Sequence, residues 1–457
     1  MQTIHLTGDR EIPVFAEPEI LVIGGGPAGI AAAYCAARRG HRVLLAERSW
    51  CLGGTATSGL VGPFMTSSDP EGKNQIILGF FRELIDRLKA AGGALEPMSM
   101  KNGDSHTSWH PYGHRNVTPF NAETLKFEAE AMCLEENVQL LYGVQTLEVR
   151  KTPDGRRIDG VVFAAKDGYI YIRSQMVIDC TGDGDVAYLA GCPMMKGDEN
   201  DGEMQAASLF FALDGIDEAV LQKRSETLGW ESMRFEKEIA EAAENGDYPI
   251  PRRRLGLYKA DDDTWRANIT RIPEIDGTRS EDLTKVMVEG RKQIQAILKF
   301  LRKYVKGCEN VRLVRSAEFP GIRETRRIKG EFIMQGRSVR EGEIFPDAIL
   351  LLSNSIDFHK GLIGDYRPGK VIYSLPYRIL LPSGVDNLLA AGRCISCDRE
   401  VLAAIRVMPP CFGMGQAAGN AAALALDTGK TPAAIDIREL RQRLRSENVL
   451  LDLPRHT

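Results

Sequence analysis

The stretch Glu19-Ile-Leu-Val-Ile-Gly-Gly-Gly-Pro-Ala-Gly29, closed by Arg42-Val-Leu-Leu-Ala-Glu47, limits the possible folds of this chain more than any other. It reads as a short apolar strand, a glycine turn, an alanine-rich helix and a second apolar strand ending in an acid. Gly24 permits the sharp turn, Gly26 lets backbone approach a pyrophosphate, and Gly29 lets the helix pack against the strand. The helix N-terminus would face the anion. Glu47 follows Gly29 by 18 residues, the spacing of an acid that accepts ribose hydroxyls. A lone G-x-G-x-x-G is weak evidence. With strand, helix, second strand and acid in register, the pattern predicts a dinucleotide-binding β-α-β unit.

At 457 residues the chain has room for two domains, or for one domain interrupted by an insertion. A net charge of -4 offers no bulk attraction to nucleic acid or to an anionic membrane surface. No run of about 18 apolar residues occurs, so no membrane span is expected. The first residues lack the charged start and apolar core of a signal peptide. Nine scattered cysteines, an odd number, suit reduced thiols in a cytoplasm better than a disulfide framework. Oligomeric state leaves no mark in the sequence.

Apolar spacing predicts an amphipathic helix over 76–91, and residues 97–119 read as a polar loop carrying His106, Trp109, His110, Tyr112 and His114. Asn121 has the character of a helix cap. Strands are expected at 138–142, 158–165, 169–173 and 176–179. From about 203 the character changes to strand-like segments near 207–213, 265–270 and 312–319, with a charged helix at 280–305. The pattern of the first domain returns near 385. Asn387–Ala391 reads as a strand running into the glycine turn at Gly392-Arg393, and Gly413–Gly419 as the opening of another helix. The expected fold is therefore α/β: a Rossmann-type FAD-binding domain built from 1–204 and 381–457, with an inserted α+β substrate or cap domain over 205–380.

Four features favour FAD over NAD. Gly53-Gly54 beyond Glu47 allows close approach to the pyrophosphate and ribityl chain. Gly143-Val144 supplies a backbone edge for adenine. Asp179-Cys-Thr-Gly-Asp183 returns a strand to the nucleotide. Gly392-Arg393 with the segment at Gly415 provides a late contact, where a helix N-terminus would stabilise negative charge on a reduced ring. The expected cofactor contacts are Gly24, Gly26, Pro27, Ala28 and Gly29 in the first turn, with Glu47 and Arg48 after it. Gly53, Gly54, Thr55, Val144, Thr181, Gly182 and Asp183 follow, and then Gly392, Arg393, Gly415, Gln416 and Ala417.

These segments resemble the glutathione-reductase-type family of FAD-dependent oxidoreductases. Within it, the chain is similar to the group known simply as FAD-dependent oxidoreductases, itself distantly similar to fumarate reductase flavoproteins. The likeness extends to Gly321-Ile-Arg-Glu-Thr-Arg-Arg327, Pro376-Tyr-Arg378, Asn387–Ser396, Arg406-Val-Met-Pro-Pro-Cys411 and Gly415–Gly419. Fumarate reductase flavoproteins carry a histidine after the glycine pair, covalently bound to FAD in many of them. Thr55–Gly59 has none, so FAD is expected without that bond.

No second β-α-β fingerprint is evident between 190 and 380, so the substrate is expected to meet the flavin directly, without a separate NAD(P)H domain. The expected activity is hydride transfer between a small polar organic substrate and flavin N5. The electron partner is open. Such chemistry needs a group to handle a proton, His359 first and then His110, and guanidiniums to orient substrate, Arg323 and Arg378. Arg252-Arg-Arg254 reads as a solvated basic patch. Two other readings compete. Cys394 and Cys397 form a C-x-x-C that would serve a dithiol or disulfide oxidoreductase, and a non-catalytic dinucleotide-binding protein would need no site at all. No metal-ligand spacing is present.

Overall fold

The computed structural model describes residues 11–99, 103–111, 116–260, 263–360, 363–367 and 369–453. Its centre is a five-stranded parallel sheet ordered Leu388–Ala390, Met176–Asp179, Ile20–Ile23, Val43–Glu47 and Gln139–Tyr142. The three inner strands are buried along their whole length, which is why they read as continuous apolar runs rather than alternating ones. The late strand pairs in register with Met176–Asp179, Ala390 opposite Asp179, so the sheet is assembled from segments more than 200 residues apart.

Helix Pro27–Arg38 crosses this sheet and packs against helix Met408–Thr428. Small residues set their separation. A Cβ on Gly415 would stand 2.0 Å from the Ala28 carbonyl oxygen, and one on Gly419 would stand 2.3 Å from that of Ala32. The glycines expected to open a helix at 413 therefore lie inside one that begins at Met408, with Pro409 and Pro410 in its first turn. The helix expected over 76–91 spans Phe80–Ala90, because Gly79 at φ +63° ends the preceding loop there.

A second layer is a sheet ordered Val14–Ala16, Gly168–Arg173, Ile158–Ala165 and Gln145–Lys151. The third unit is an antiparallel sheet of Leu257–Lys259, Trp265–Ala267, Phe211–Asp214 and Arg312–Ser316. Helix Ser280–Tyr304 covers it, burying Ile294, Ile297, Phe300 and Leu301 in a core of its own. Trp109 joins that core, 1% exposed, stacked on Trp265 with ring centres 5.8 Å apart.

Residues near the end of the expected insertion behave differently. Strand Ala348–Leu352 pairs with Tyr373–Pro376, and Ile349, Leu350, Tyr373 and Leu375 share the core of the dinucleotide-side helices. The cap's own core ends near Ala317. Among the described residues, no helix is long and apolar enough to cross a membrane.

Candidate active site

One cavity of about 590 Å³ lies between the carboxyl ends of the parallel strands and the antiparallel cap. On the sheet side its wall is the glycine turn. Gly24 stands at φ +101°, and a Cβ there would meet the Cys180 carbonyl oxygen at 2.4 Å. A Cβ on Gly29 would meet the Gly24 carbonyl oxygen at 1.7 Å. Both glycines answer to the protein's own packing. Gly26 does not, since nothing lies within 4 Å of the position its Cβ would take. That residue lines the cavity at the start of helix Pro27–Arg38, whose N-terminus has no side-chain cap and no acid in its first turn. Open space, unpaired N–H groups and the positive helix end together suit a pyrophosphate.

Glu47 is 6% exposed and accepts hydrogen bonds from Gly25 N, Ser49 N and Ser49 Oγ. Its carboxylate braces the glycine turn and also faces the cavity. Asp179 is fully buried and accepts from Thr181 N at 3.0 Å, Thr181 Oγ1 at 2.7 Å and Ala187 N at 2.9 Å. It thereby shapes the Thr181–Asp183 turn. Asp183 Oδ1 in turn accepts from Thr325 Oγ1 at 2.9 Å and Arg393 Nη2 at 3.1 Å, tying this wall to the cap. Arg48 reaches across as well, its guanidinium 5.1 Å from the centre of the Phe319 ring.

The cavity also takes in Pro27, Ala28, Gly54, Thr55, Val144, Gly182 and Gly392, so most of the expected cofactor contacts line one space. Five do not. Gly29 and Gly53 act one layer back, with Gly53 at φ +102° shaping the loop against Thr57. Gly415, Gln416 and Ala417 are buried inside their helix, away from the cavity. Gln416 Oε1 instead accepts from Phe80 N at 3.0 Å, capping helix Phe80–Ala90. The helix end that does reach the cavity is Val407–Met408, with Cys411 one turn on, and it too has no side-chain cap.

At the other end of the cavity, strand Ile356–Lys360 carries the titratable centre. Strand alternation puts Asp357 and His359 on one face. His359 Nε2 lies 2.9 Å from Asp357 Oδ2, and Nδ1 lies 3.3 Å from Arg271 Nη1. These partners assign the imidazole proton to Nε2, which donates to Asp357. Arg406 Nη2 donates to the Asp357 carbonyl at 2.8 Å and to Oδ2 at 3.3 Å. Arg323, 8% exposed, donates from Nη1 to Ala206 O at 2.7 Å. Tyr258, Asn268 and Ser208 complete this end.

Burial, then the nearby Arg323 guanidinium, pull the His359 pKa down to about 3 against the opposing pull of Asp357. Burial alone would raise Asp357, but His359, Arg406 and Arg323 hold it well below the usual carboxylate range. The consequence for stability is directional. Between pH 6.5 and about 3, the unfolded imidazole binds a proton that the folded one excludes. This contribution is complete above pH 6.5 and is lost as the pH falls toward 3. His359→Gln is expected to flatten the decline of the urea midpoint from pH 6.5 to about 4.5, above the ordinary range of Asp357. Equal slopes in variant and parent would place the titrating group elsewhere.

Two expected catalytic residues are not at this site. Arg378 stacks on Phe332 at 4.2 Å and pairs with Asp347 at 3.6 Å, on the outer side of the shared core. His110 packs against Trp230 at 5.1 Å, because burial of Trp109 draws its loop into the cap core. His114 and Tyr112 lie outside the described residues. Cys394 and Cys397 are each 0% exposed and burial pushes both thiols up, Cys397 to about 12, which suits packing rather than exchange. Of the expected basic patch, Arg253 and Arg254 are exposed, while Arg252 is half-buried and donates to Asn268 Oδ1 at 3.1 Å. Asp357, Arg271, Tyr258 and Asn268 carry no sequence signal beyond the i, i+2 spacing of Asp357 and His359.

The sequence profile of the family described as FAD dependent oxidoreductase matches residues 19–444. No match among curated proteins was found. Among solved structures, the chain is similar to L-proline dehydrogenase from P. horikoshii, at 13% identity and a TM-score of 0.45, covering 96% of this chain and 100% of that one. It is similar to p-nitrophenol 4-monooxygenase from Pseudomonas putida DLL-E4, at 11% identity, a TM-score of 0.45, and 96% and 90% coverage. A geranylgeranyl bacteriochlorophyll reductase-like protein from Thermoplasma acidophilum matches at 11% identity, a TM-score of 0.44, and 96% and 88% coverage.

Proposed function

Because the chain belongs to the FAD dependent oxidoreductase family, we propose that it moves a hydride between a small polar organic substrate and N5 of FAD, without a nicotinamide domain of its own. FAD, when bound, supplies the two-electron acceptor or donor. The observation that carries the reading is the single cavity joining the Gly26 cradle to the buried Asp357–His359–Arg406 cluster.

Gly26, the uncapped start of helix Pro27–Arg38 and the Thr181–Asp183 turn would hold the dinucleotide. The helix beginning at Met408, with Arg393 beside it, would place positive potential at the ring end. Arg323 orients the substrate. His359 is neutral and, among the described residues, its Nδ1 meets Arg271 at 3.3 Å, a contact that substrate can replace to offer its proton there. Asp357, on the opposite ring nitrogen, then stabilises the imidazolium that forms. In the reverse direction the same imidazolium supplies the proton.

The test is the visible spectrum of the purified protein, followed by anaerobic challenge with sugars, hydroxy acids and amines. A yellow protein bleached by one of these classes is the expected result. A colourless protein that does not take up added FAD would overturn the reading.

A further inference from the structure

Arg48 and Gln145 line the cavity and are exposed, while its other lining residues, among those described, are buried or half-buried. The cavity therefore opens to solvent beside them, just past the end of strand Val43–Glu47. A contact crosses that opening. The Arg48 guanidinium, from the sheet side, stands 5.1 Å from the centre of the half-buried Phe319 ring, on the segment that leaves the cap.

Both backbones are pinned. Glu47, the residue before Arg48, is held by Gly25 N, Ser49 N and Ser49 Oγ. Around Phe319, Ala317 N donates to Phe210 O at 2.9 Å, Glu318 N to Ser58 O at 2.8 Å, and Gly321 N to Ser208 O at 2.7 Å. Ile322 O accepts from Arg393 Nη1 at 2.6 Å. The side chains that meet over the opening are held far less firmly. Among the described residues, no carboxylate stands within ion-pair distance of Arg48, and Asp185 acts on it only from farther off. A guanidinium near an aromatic ring is attracted to it, but weakly enough at an exposed position to part and re-form.

Behind this pair Glu47 faces the cavity, with Val144 and Thr146 on the adjoining wall. These are residues that the adenosine half of a dinucleotide seated on the Gly26 turn would meet. We propose that Arg48 and Phe319 close the opening over the adenosine end of FAD, so that the cofactor enters and leaves past the pair. This rests on the reading that FAD occupies the cavity. The pair governs how fast FAD exchanges rather than how tightly it is held. A contact made with and without the cofactor must part for passage in either direction, so its removal speeds uptake and release alike.

The test is FAD exchange in Phe319→Ala, alongside Phe319→Tyr, which keeps an aromatic face. Uptake is followed by quenching of tryptophan fluorescence when apoprotein meets excess FAD. Release is the loss of radiolabelled FAD from holoprotein chased with unlabelled FAD. In Phe319→Ala both rates are expected to rise about three- to tenfold, the worth of one such contact, with their ratio unchanged. Phe319→Tyr should exchange like the parent. Arg48→Gln should speed uptake as Phe319→Ala does, and the double variant should be no faster than either single one, since each removes the same contact.

Parental rates in Phe319→Ala, or faster release with unchanged uptake, overturn the inference and leave the flavoenzyme reading intact. A double variant faster than both single ones would place the side chains in separate barriers and overturn the pairing. Should Phe319→Ala fail to fold, the uptake rate of Arg48→Gln, altered at an exposed position, decides. A parent protein that neither holds nor takes up FAD overturns the flavoenzyme reading itself, and this inference with it.

Discussion

Replacing Gly26 by valine is expected to strip the protein of FAD while leaving its fold in place. The backbone there, φ -75° and ψ -172°, is extended and open to any residue. Apart from its neighbours in the chain, no protein atom lies within 4 Å of an added Cβ, so the branch point of the valine meets nothing in the native fold. The space belongs to the cofactor, and filling it imposes overpacking on the complex alone. At 1–3 kcal/mol that is about a 10- to 100-fold loss of FAD affinity. Far-UV circular dichroism and urea midpoint should match the parent, while the visible spectrum of the purified variant should be bleached and restored only by a large excess of FAD. Retention of stoichiometric flavin by the variant would show that the pyrophosphate does not pass this turn.

Gly415→Ala is expected to do the opposite and cost the fold itself. Its Cβ would lie 2.0 Å from a backbone oxygen of the facing helix and 2.8 Å from the carbonyl carbon. Backbone cannot rotate away as a side chain does, so the two central helices must separate. That separation opens the alanine-lined contact of Ala28, Ala32, Ala418 and Ala422 in the largest core. A loss of more than about 3 kcal/mol is the order expected of such a clash, a large share of the stability of an ordinary domain. The measurement is the urea midpoint of soluble protein, or its yield if little folds. An unchanged midpoint would mean that the helices are spaced by something other than Gly415 and Gly419.

The paired outcome matters because G-x-G-x-x-G and the late G-M-G-Q-A-A-G look alike as strings. The first is a turn whose middle glycine faces a ligand. The second lies within a helix, where Gly415 and Gly419 face another helix and Gly413 faces Leu350 of a strand. Both produce the same composition, small residues at short spacing, and composition does not say what the missing Cβ makes room for. Similarly, the C-x-x-C at Cys394 and Cys397 carries the spacing of a redox pair, but neither of its two thiols reaches the cavity.

Local pattern was sufficient wherever neighbours in the chain are also partners in space. The first β-α-β unit, the cap at Asn121, which accepts from Glu123 N and Thr124 N, the hairpin at 158–173 and helix Ser280–Tyr304 all follow from short-range rules of burial, turn chemistry and capping. From these the dinucleotide fold and most of its cradle were legible. The charged cluster at the other end of the cavity was legible only in His359 and Arg323. Arg271, Arg323, Asp357, His359 and Arg406 come from segments spanning more than 130 residues, and a lone arginine has the same local signature whether it meets a phenyl ring, as Arg378 does, or a buried imidazole, as Arg271 does. The sequence by itself determined what kind of nucleotide-binding sheet this chain builds, because strand, turn and helix are chosen over distances of a few residues. Only the tertiary structure decided which charged groups converge on the cavity, because burial and pairing depend on contacts that close when the cap settles over the sheet.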